Sequence, residues 1–425
     1  MSYVEEYQTV LQRIDAQNPG VRCLRYFVNA AAQWHARFEK NPANGTQEGK
    51  TNPVVVVLGH GIPEQLVRAC GVTPYHLLGG SHASCAWSDD AMPRDSDPAS
   101  RSMLGYALRL AAKADHDPLF VVPAANDNLR KIGYLLGQEG HEVLSVDIPS
   151  VGASAVSWHA WEHATRSLVR SVGHHVGRRA SASSLAKADQ LVGAARSAMV
   201  TFERICTQCE GALSDEARLL VQNTYYQTDD LAQWTAALHQ LSAEVQARYR
   251  TMGRPTSSTP RVLVMGSPIL FPQYKVPALI HDTGLVLQQA VDAASTSRFA
   301  SLSPEERRGG TRRLMRAIAH KHYALDSSSA HVVNRTMEQY VEHLLATTEV
   351  DGIVCHILKG QIEYDFMLSR LEPLFEQLDV PVFRLETDYQ YQDIEQLRIR
   401  LEAFAEMLEQ RTFVRGRVPA RRRSA

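Results

Sequence analysis

The sequence has little of what marks a membrane, secreted or nucleic-acid-binding protein. None of its 425 residues belongs to an apolar run close to the ~20 residues that a membrane-spanning helix needs. The N-terminal segment carries charges and no apolar core, so we expect no signal peptide. Lys and Arg (45) balance Asp and Glu (46), and the six cysteines are too unevenly spaced for a disulfide framework. We therefore expect a cytoplasmic protein with no membrane or nucleic-acid partner.

The two nucleotide fingerprints of α/β proteins, the GxGxxG turn and the P-loop, are also absent. What is present is a series of apolar, β-branched runs, which are typical of strands buried on both faces of a parallel sheet. These runs lie at 54–58, 119–122, 143–148, 261–265, 284–287, 352–357 and 380–385. Helical spacing between the second and third runs predicts a strand–helix–strand unit, and with it the α/β class.

The runs fall into two groups, separated by a long segment without proline. From 151 to 254 apolar residues recur at intervals of three and four, which predicts helices that bridge two domains. We predict an N-terminal helix and connector (1–50), a first α/β domain (51–155), a helical insert (156–254), a second α/β domain (255–412) and a basic tail (413–425).

Two segments carry a family resemblance. Residues 379–388 read Asp-Val-Pro-Val-Phe-Arg-Leu-Glu-Thr-Asp before a charged helical stretch, and residues 61–74 begin Gly-Ile-Pro-Glu. Both resemble the 2-hydroxyacyl-CoA dehydratase and benzoyl-CoA reductase subunit family, over roughly 50–410. The resemblance implies two doubly wound Rossmann-like domains with parallel sheets, a helical insert between them, and pairing with a homologous subunit or with itself as a dimer.

Members of that family hold a [4Fe–4S] cluster on cysteine thiolates and use it for one-electron chemistry on an acyl-CoA. The positions that the resemblance assigns to the ligands read Asp97, Asn126 and Gln361, and a further ligand segment aligns with 294–298. Because iron–sulfur clusters require thiolates, we expect no cluster, no other cofactor and no metal at these positions. The alternative is a different alignment, in which Cys85 or Cys355 serves as a ligand.

The resemblance also implies a site in the cleft between the two α/β domains. Its candidate catalytic residues are Glu64, Asp97, Asn126 and Gln361. Its candidate substrate-binding residues are Asp127, His356, Lys359, Glu386 and Asp388. Glu64 follows a proline, so it can also act by stabilising a helix N-terminus. We expect Asp97 to be an exposed pocket carboxylate that contributes little to folding.

Two other motifs suggest different chemistry. Cys355 and His356 end a predicted strand, where a thiol beside an imidazole can be a nucleophile, although a buried strand cysteine is the commoner case. His159, Glu162 and His163 match the H-x-x-E-H pattern, in which two histidines on one helix face bind zinc and the glutamate acts as base.

Three functions therefore remain open. The first is a cluster-free subunit or divergent, lyase-like enzyme that binds an acyl-CoA or another small molecule in the cleft. The second is an independent enzyme that performs polar acid–base chemistry on a small molecule without CoA. The third is a zinc hydrolase that uses His159 and His163.

Overall fold

The computed structural model describes residues 1–39, 54–113, 117–150, 154–252, 259–292, 294, 301–325 and 335–415. Four segments of the sequence predictions lie wholly or mostly outside these residues. They are the connector before the first strand, the linker before the second domain, the segment 295–298 and the basic tail after 415.

The first sheet has four parallel strands in the order β2-β1-β3-β4. Its strands are β1 (Val55–Leu58), β2 (Tyr75–Leu77), β3 (Leu119–Ala124) and β4 (Val143–Asp147). Every residue of β1 and β3 is buried, as expected for strands covered on both faces. In register, Val56 lies between Tyr75 and Phe120.

The second sheet repeats this plan, with four parallel strands in the order β6-β5-β7-β8. Its strands are β5 (Arg261–Gly266), β6 (Val286–Asp292), β7 (Gly352–Leu358) and β8 (Val382–Thr387). Because both sheets are parallel and wound alike, the prediction of an α/β protein with two Rossmann-like domains is confirmed.

Helices cover the sheets and connect them. In chain order they are α1 (Tyr3–Gln17), α2 (Leu24–Ala36), α3 (Glu64–Arg68), α4 (His82–Cys85), α5 (Pro98–Ala111), α6 (Asp127–Gln138), α7 (Ala155–His175), α8 (Ala182–Gln208), α9 (Asp215–Thr224), α10 (Leu231–Met252), α11 (Lys275–Asp282), α12 (Thr311–Leu325), α13 (Arg335–Thr347), α14 (Ile362–Gln377) and α15 (Ile394–Arg415).

Helices α7 to α10 occupy the stretch that the sequence predicts to be helical. Helices α7 and α8 contact α3 beside the first sheet, whereas α9 contacts β6 of the second sheet. One continuous apolar core runs from Val56 and Phe120 of the first sheet, through Trp234 of α10, to Val262 and Leu287 of the second sheet. This core holds the two sheets in a defined relative position, and the site between them depends on it.

Candidate functional site

Three helices begin close together between the two sheets. Asp97 caps α5, since its carboxylate accepts the backbone N–H of Ser100 at 2.9 Å. Asn126 caps α6 in the same way and accepts the N–H of Leu129 at 2.9 Å. Asp and Asn are favoured at these positions because their oxygens satisfy N–H groups that the first turn leaves free. Gln361 precedes α14 and makes no capping bond to it.

Hydrogen bonds join these three positions across the boundary between the two halves. The Gln361 amide donates to the Asp97 carboxylate at 2.9 Å, and the Asn128 amide donates to its other oxygen at 2.6 Å. The Asn126 amide donates to the Glu363 carboxylate at 3.1 Å. The structure therefore brings Asp97, Asn126 and Gln361 together. It also adds Asn128 and Glu363, which the sequence did not predict. Asn128 lies two positions after Asn126, and Glu363 lies two positions after Gln361.

Asp97 is the centre of this network and is fully buried, with 0% of its surface exposed. The expectation of an exposed pocket carboxylate is therefore wrong. Three hydrogen-bond donors and the N-terminus of α5 stabilise its negative charge. They replace the hydration that the carboxylate loses on burial. Gln361 is also buried, and its Oε1 has no hydrogen-bond partner among the described residues.

Gly360 allows this close approach. Its φ is +87°, a backbone conformation that residues with a side chain rarely adopt. A Cβ at this position would lie 3.2 Å from the backbone nitrogen of Asp97. Glycine therefore lets the loop after β7 reach the start of α5.

A cavity of about 80 Å³ adjoins the network. It is lined by Leu78 after β2, by the first turns of α5, α6 and α14, and by residues at or after the ends of β1, β3, β5 and β7, the two central strands of each sheet. These strands flank the points at which each sheet reverses its winding, where doubly wound proteins bind ligands. Most of the lining is apolar, and the polar lining residues are His60, Ser100, Gln361 and Tyr364.

A larger, open groove of about 890 Å³ lies between α8 and α13, with Arg204, Gln208 and His343 among its lining residues. None of the predicted site residues lines it. The smaller cavity is the better candidate site, because both halves and the capping network meet there.

Glu64 does not line this cavity. It is buried at the start of α3, where it pairs with Arg68 at 2.8 Å and Arg196 of α8 at 3.8 Å and accepts a hydrogen bond from Tyr225. Burial alone raises the pKa of its carboxyl, but the two arginines, His76 and the Tyr225 hydroxyl lower it to about 2. Its carboxylate therefore links α3 to the helical insert.

The predicted substrate-binding residues on the second half do not line the cavity either. Lys359 is exposed and bonds Asp388 at 3.1 Å, while Glu386 is exposed and pairs with Arg384 at 3.0 Å. Asp127, in the first half, is exposed at the start of α6. Buried Asp97 and half-buried Glu363 are the carboxylates of the hydrogen-bond network beside the cavity.

His356 and the two candidate cysteines are buried. His356 is buried, its Nδ1 lies 3.0 Å from the Ser267 carbonyl, and burial lowers its pKa to about 4. Burial raises the pKa of the Cys355 thiol to about 12 and that of the Cys85 thiol to about 12. Both thiols therefore stay protonated at neutral pH, which supports the reading of Cys355 as a buried strand cysteine.

The H-x-x-E-H residues do not form a site. Glu162 is buried, and its carboxylate pairs with Arg166 of the same helix and with Arg316 and His320 of α12. His159 and His163 are exposed. In the part of the chain that the structure describes, no group of three or more His, Cys, Asp or Glu side chains is arranged to hold a metal ion. Nor does any helix among those residues have the length and hydropathy needed to cross a membrane.

Comparisons with known proteins agree with this architecture. A family model described as 2-hydroxyglutaryl-CoA dehydratase, D-component, matches residues 60–408. YjiM of Escherichia coli (strain K12), which is named as a dehydratase subunit, is 24% identical over 357 residues, 82% of this chain and 89% of that protein. The (R)-phenyllactyl-CoA dehydratase beta subunit of Clostridium sporogenes is 22% identical over 352 residues, 81% of this chain and 89% of that protein. The chain therefore belongs to the 2-hydroxyglutaryl-CoA dehydratase D-component family.

Proposed function

We propose that the chain is a cluster-free subunit of a dehydratase-like enzyme and that it binds the acyl part of an acyl-CoA, or a related small molecule, in the interdomain cavity. The observation that carries this proposal is the network of Asp97, Asn126 and Gln361. These are the positions that the resemblance assigns to cluster ligands. Here Gln361 bonds Asp97, Asn126 bonds Glu363, and Asp97 and Asn126 cap helices.

The residues present do not fit an iron–sulfur cluster. Such clusters are held by thiolates, whereas this set offers one carboxylate and two neutral amides. The Asp97 oxygens and the Asn126 amide are already used in hydrogen bonds. In place of a cluster, the network joins the two halves beside the cavity, whose apolar walls exclude water from a bound acyl group.

Pairing with another subunit is part of the proposal. Both relatives are named as subunits of dehydratases. A cluster-bearing partner would supply the one-electron chemistry that this chain's own residues do not support. Ile362 and Phe366 lie one turn apart on α14, next to Gln361, and expose 64% and 67% of their surface. An apolar pair in this position suits a subunit interface beside the cavity.

The test introduces cysteine at the three positions that the resemblance assigns to cluster ligands. The wild-type chain and the triple variant Asp97→Cys, Asn126→Cys, Gln361→Cys are purified without oxygen and incubated with iron, sulfide and thiol. We expect stoichiometric iron and a broad charge-transfer absorbance only in the triple-cysteine variant, because the three positions converge. The corresponding triple-serine variant is the matched control, since it removes the same hydrogen bonds without adding thiolates.

Two results would contradict the proposal. Stoichiometric iron in the wild-type chain would show that other residues hold a cluster. If the wild-type chain binds no acyl-CoA, either alone or with a co-purified homologous subunit, the proposed role in substrate binding is rejected.

A second candidate is an independent enzyme that acts on a small molecule without CoA. The volume of the cavity favours it, and none of the described residues that line the cavity is Lys or Arg, the usual partners of CoA phosphates. Titration of the wild-type chain with an acyl-CoA and with the matching free acyl amide separates the two. Binding that requires the CoA portion supports the function as a dehydratase subunit.

A further inference from the structure

We infer that the interdomain cavity selects a small, uncharged group that carries a hydrogen-bond donor, such as a primary amide or a hydroxyl, and that it excludes carboxylates. The inference rests on the proposed function, in that the cavity is taken as the ligand site of the chain. It defines the chemical class of the ligand from the groups around the cavity.

The orientation of the Gln361 amide carries the first step. An ionised carboxylate can only accept hydrogen bonds, so the arm of Gln361 that contacts Asp97 must be its NH₂ group. Its Oε1 is therefore the other arm, and this oxygen is buried without a donor among the described residues. Gln361 lines the cavity. A ligand whose N–H or O–H group reaches this oxygen from the cavity would satisfy the acceptor, whereas a ligand without a donor would leave it unpaired.

Charge carries the second step. The N-termini of α5, α6 and α14 converge here and favour negative charge, but Asp97 already supplies a fully buried carboxylate. Glu363 adds a second carboxylate through its bond with Asn126. No described lining residue is Lys or Arg, so an incoming anion would lose its hydration without gaining a cationic partner.

Size carries the third step. A cavity needs roughly 10–15 Å³ to hold one water, so about 80 Å³ has room for roughly five to eight water-sized groups and accommodates a ligand of about four heavy atoms. Leu78, Met103 and Leu129 are among the apolar residues that line it, and they suit a methyl group. A methyl group joined to an amide or a hydroxymethyl group thus matches both the walls and the free acceptor.

Acetamide, acetone and acetate test the inference, because they share a methyl group and differ in the group attached to the carbonyl carbon. Ligand-detected NMR titrations of the iron-free wild-type chain are made at neutral pH, where acetate is ionised. We expect saturable binding of acetamide, at least about tenfold tighter than that of acetone, and no saturable binding of acetate.

Gln361→Met provides the decisive variant, since it keeps the length of the side chain and removes the acceptor. We expect the preference for acetamide over acetone to fall to about one. Ile362→Ala, one residue further along α14 and exposed, is the control that should keep the wild-type preference. If Gln361→Met fails to fold, wild-type crystals soaked in acetamide give the answer, with the amide nitrogen expected within about 3.2 Å of Gln361 Oε1.

Equal binding of acetone and acetamide, tighter binding of acetate, or no binding of any of the three would overturn the inference. These outcomes are distinct from failure of the proposed function. Iron in the wild-type chain, or loss of all acyl-CoA binding, rejects the proposed function whatever the small probes do. A chain that is free of iron and binds acyl-CoA, but shows no preference for acetamide, rejects this inference alone.

Discussion

The carboxylate of Asp97 accepts hydrogen bonds from residues of both halves of the molecule. It accepts hydrogen bonds from the Ser100 backbone, from Asn128 in the first half and from Gln361 in the second. Each donor loses its partner when the carboxylate is removed, and buried donors without partners are costly. Asp97 therefore contributes to the stability of the fold as well as to the shape of the site.

We predict that Asp97→Ala lowers the free energy of unfolding by about 3 kcal/mol, because a helix cap and two buried side-chain bonds are lost together. Asp97→Asn keeps an acceptor and should cost about half as much. Urea unfolding provides the measurement. The control is Asp127→Ala, an exposed residue in the first turn of α6, for which we expect a loss below about 1 kcal/mol. Equal losses for Asp97→Ala and Asp127→Ala would contradict the prediction.

Glu64 gives the stability a defined pH dependence. Its pKa is about 2 in the folded protein against an ordinary 4.5, so its stabilising effect is complete above pH 4.5 and is lost as the pH falls towards 2. A difference of this size corresponds to about 3 kcal/mol. We predict that Glu64→Gln has a visibly flatter decline of stability across this window, measured by chemical unfolding at several pH values. Parallel declines for the two proteins would show that the ion pairs with Arg68 and Arg196 are weak.

At the scale of elements, the loop between β7 and α14 sets the distance between the two halves. Gly360 has a φ of +87° and lies against the backbone of Asp97, where a Cβ would be 3.2 to 3.3 Å from three of its atoms. The loop must therefore keep both its unusual conformation and its lack of a side chain for the start of α14 to meet the start of α5.

We predict that Gly360→Ala destabilises the protein by about 1–2 kcal/mol, from strain at positive φ and from displacement of Asp97. The matched control is Gly137→Ala in the last turn of α6, where a Cβ meets nothing within 4 Å. That change should be neutral or stabilising by up to about 1 kcal/mol, because alanine favours helices. Thermal unfolding compares the two, and an equal effect of both substitutions would exclude a special role for the loop.

At the scale of the whole molecule, two sheets of the same strand order face one another across the cavity, and one apolar core joins them through the helical insert. The partner that we propose would pair on the side where the cavity lies. The exposed pair Ile362 and Phe366 marks that side.

We predict that the chain dimerises, or co-purifies with a homologous subunit, through an interface of more than about 1,200 Å². Phe366→Glu should weaken this association at micromolar concentration, since it would bury a charge in an apolar contact. Ile399→Glu, on the exposed face of α15, is the control. Sedimentation velocity makes the comparison. A wild-type chain that is monomeric and has no co-purifying homologue would contradict the subunit function and favour the independent enzyme.

Local pattern was sufficient for six of the eight strands that the structure describes. Strands β1, β3, β4, β5, β7 and β8 were predicted within two residues at each end, although β4, β5, β7 and β8 include polar side chains. Strand β6 was expected at 284–287 but runs to Asp292, because Gln288 and Gln289 are buried within it and Gln289 finds a partner in Tyr340. The three-residue strand β2 was not predicted at all, since so short a run has no periodicity.

The sequence by itself determined the α/β class, the two similar halves and the absence of cysteine at the positions assigned to cluster ligands, because these follow from local composition and from motif resemblance. Only the tertiary structure decided that Asp97 is buried and that Glu64 pairs with Arg196. Asp97 and Gln361 lie 264 positions apart in the chain, and no local pattern states which distant side chain completes a hydrogen bond. Burial and pairing depend on how separate elements pack, and the packing is set by the apolar core that joins both sheets.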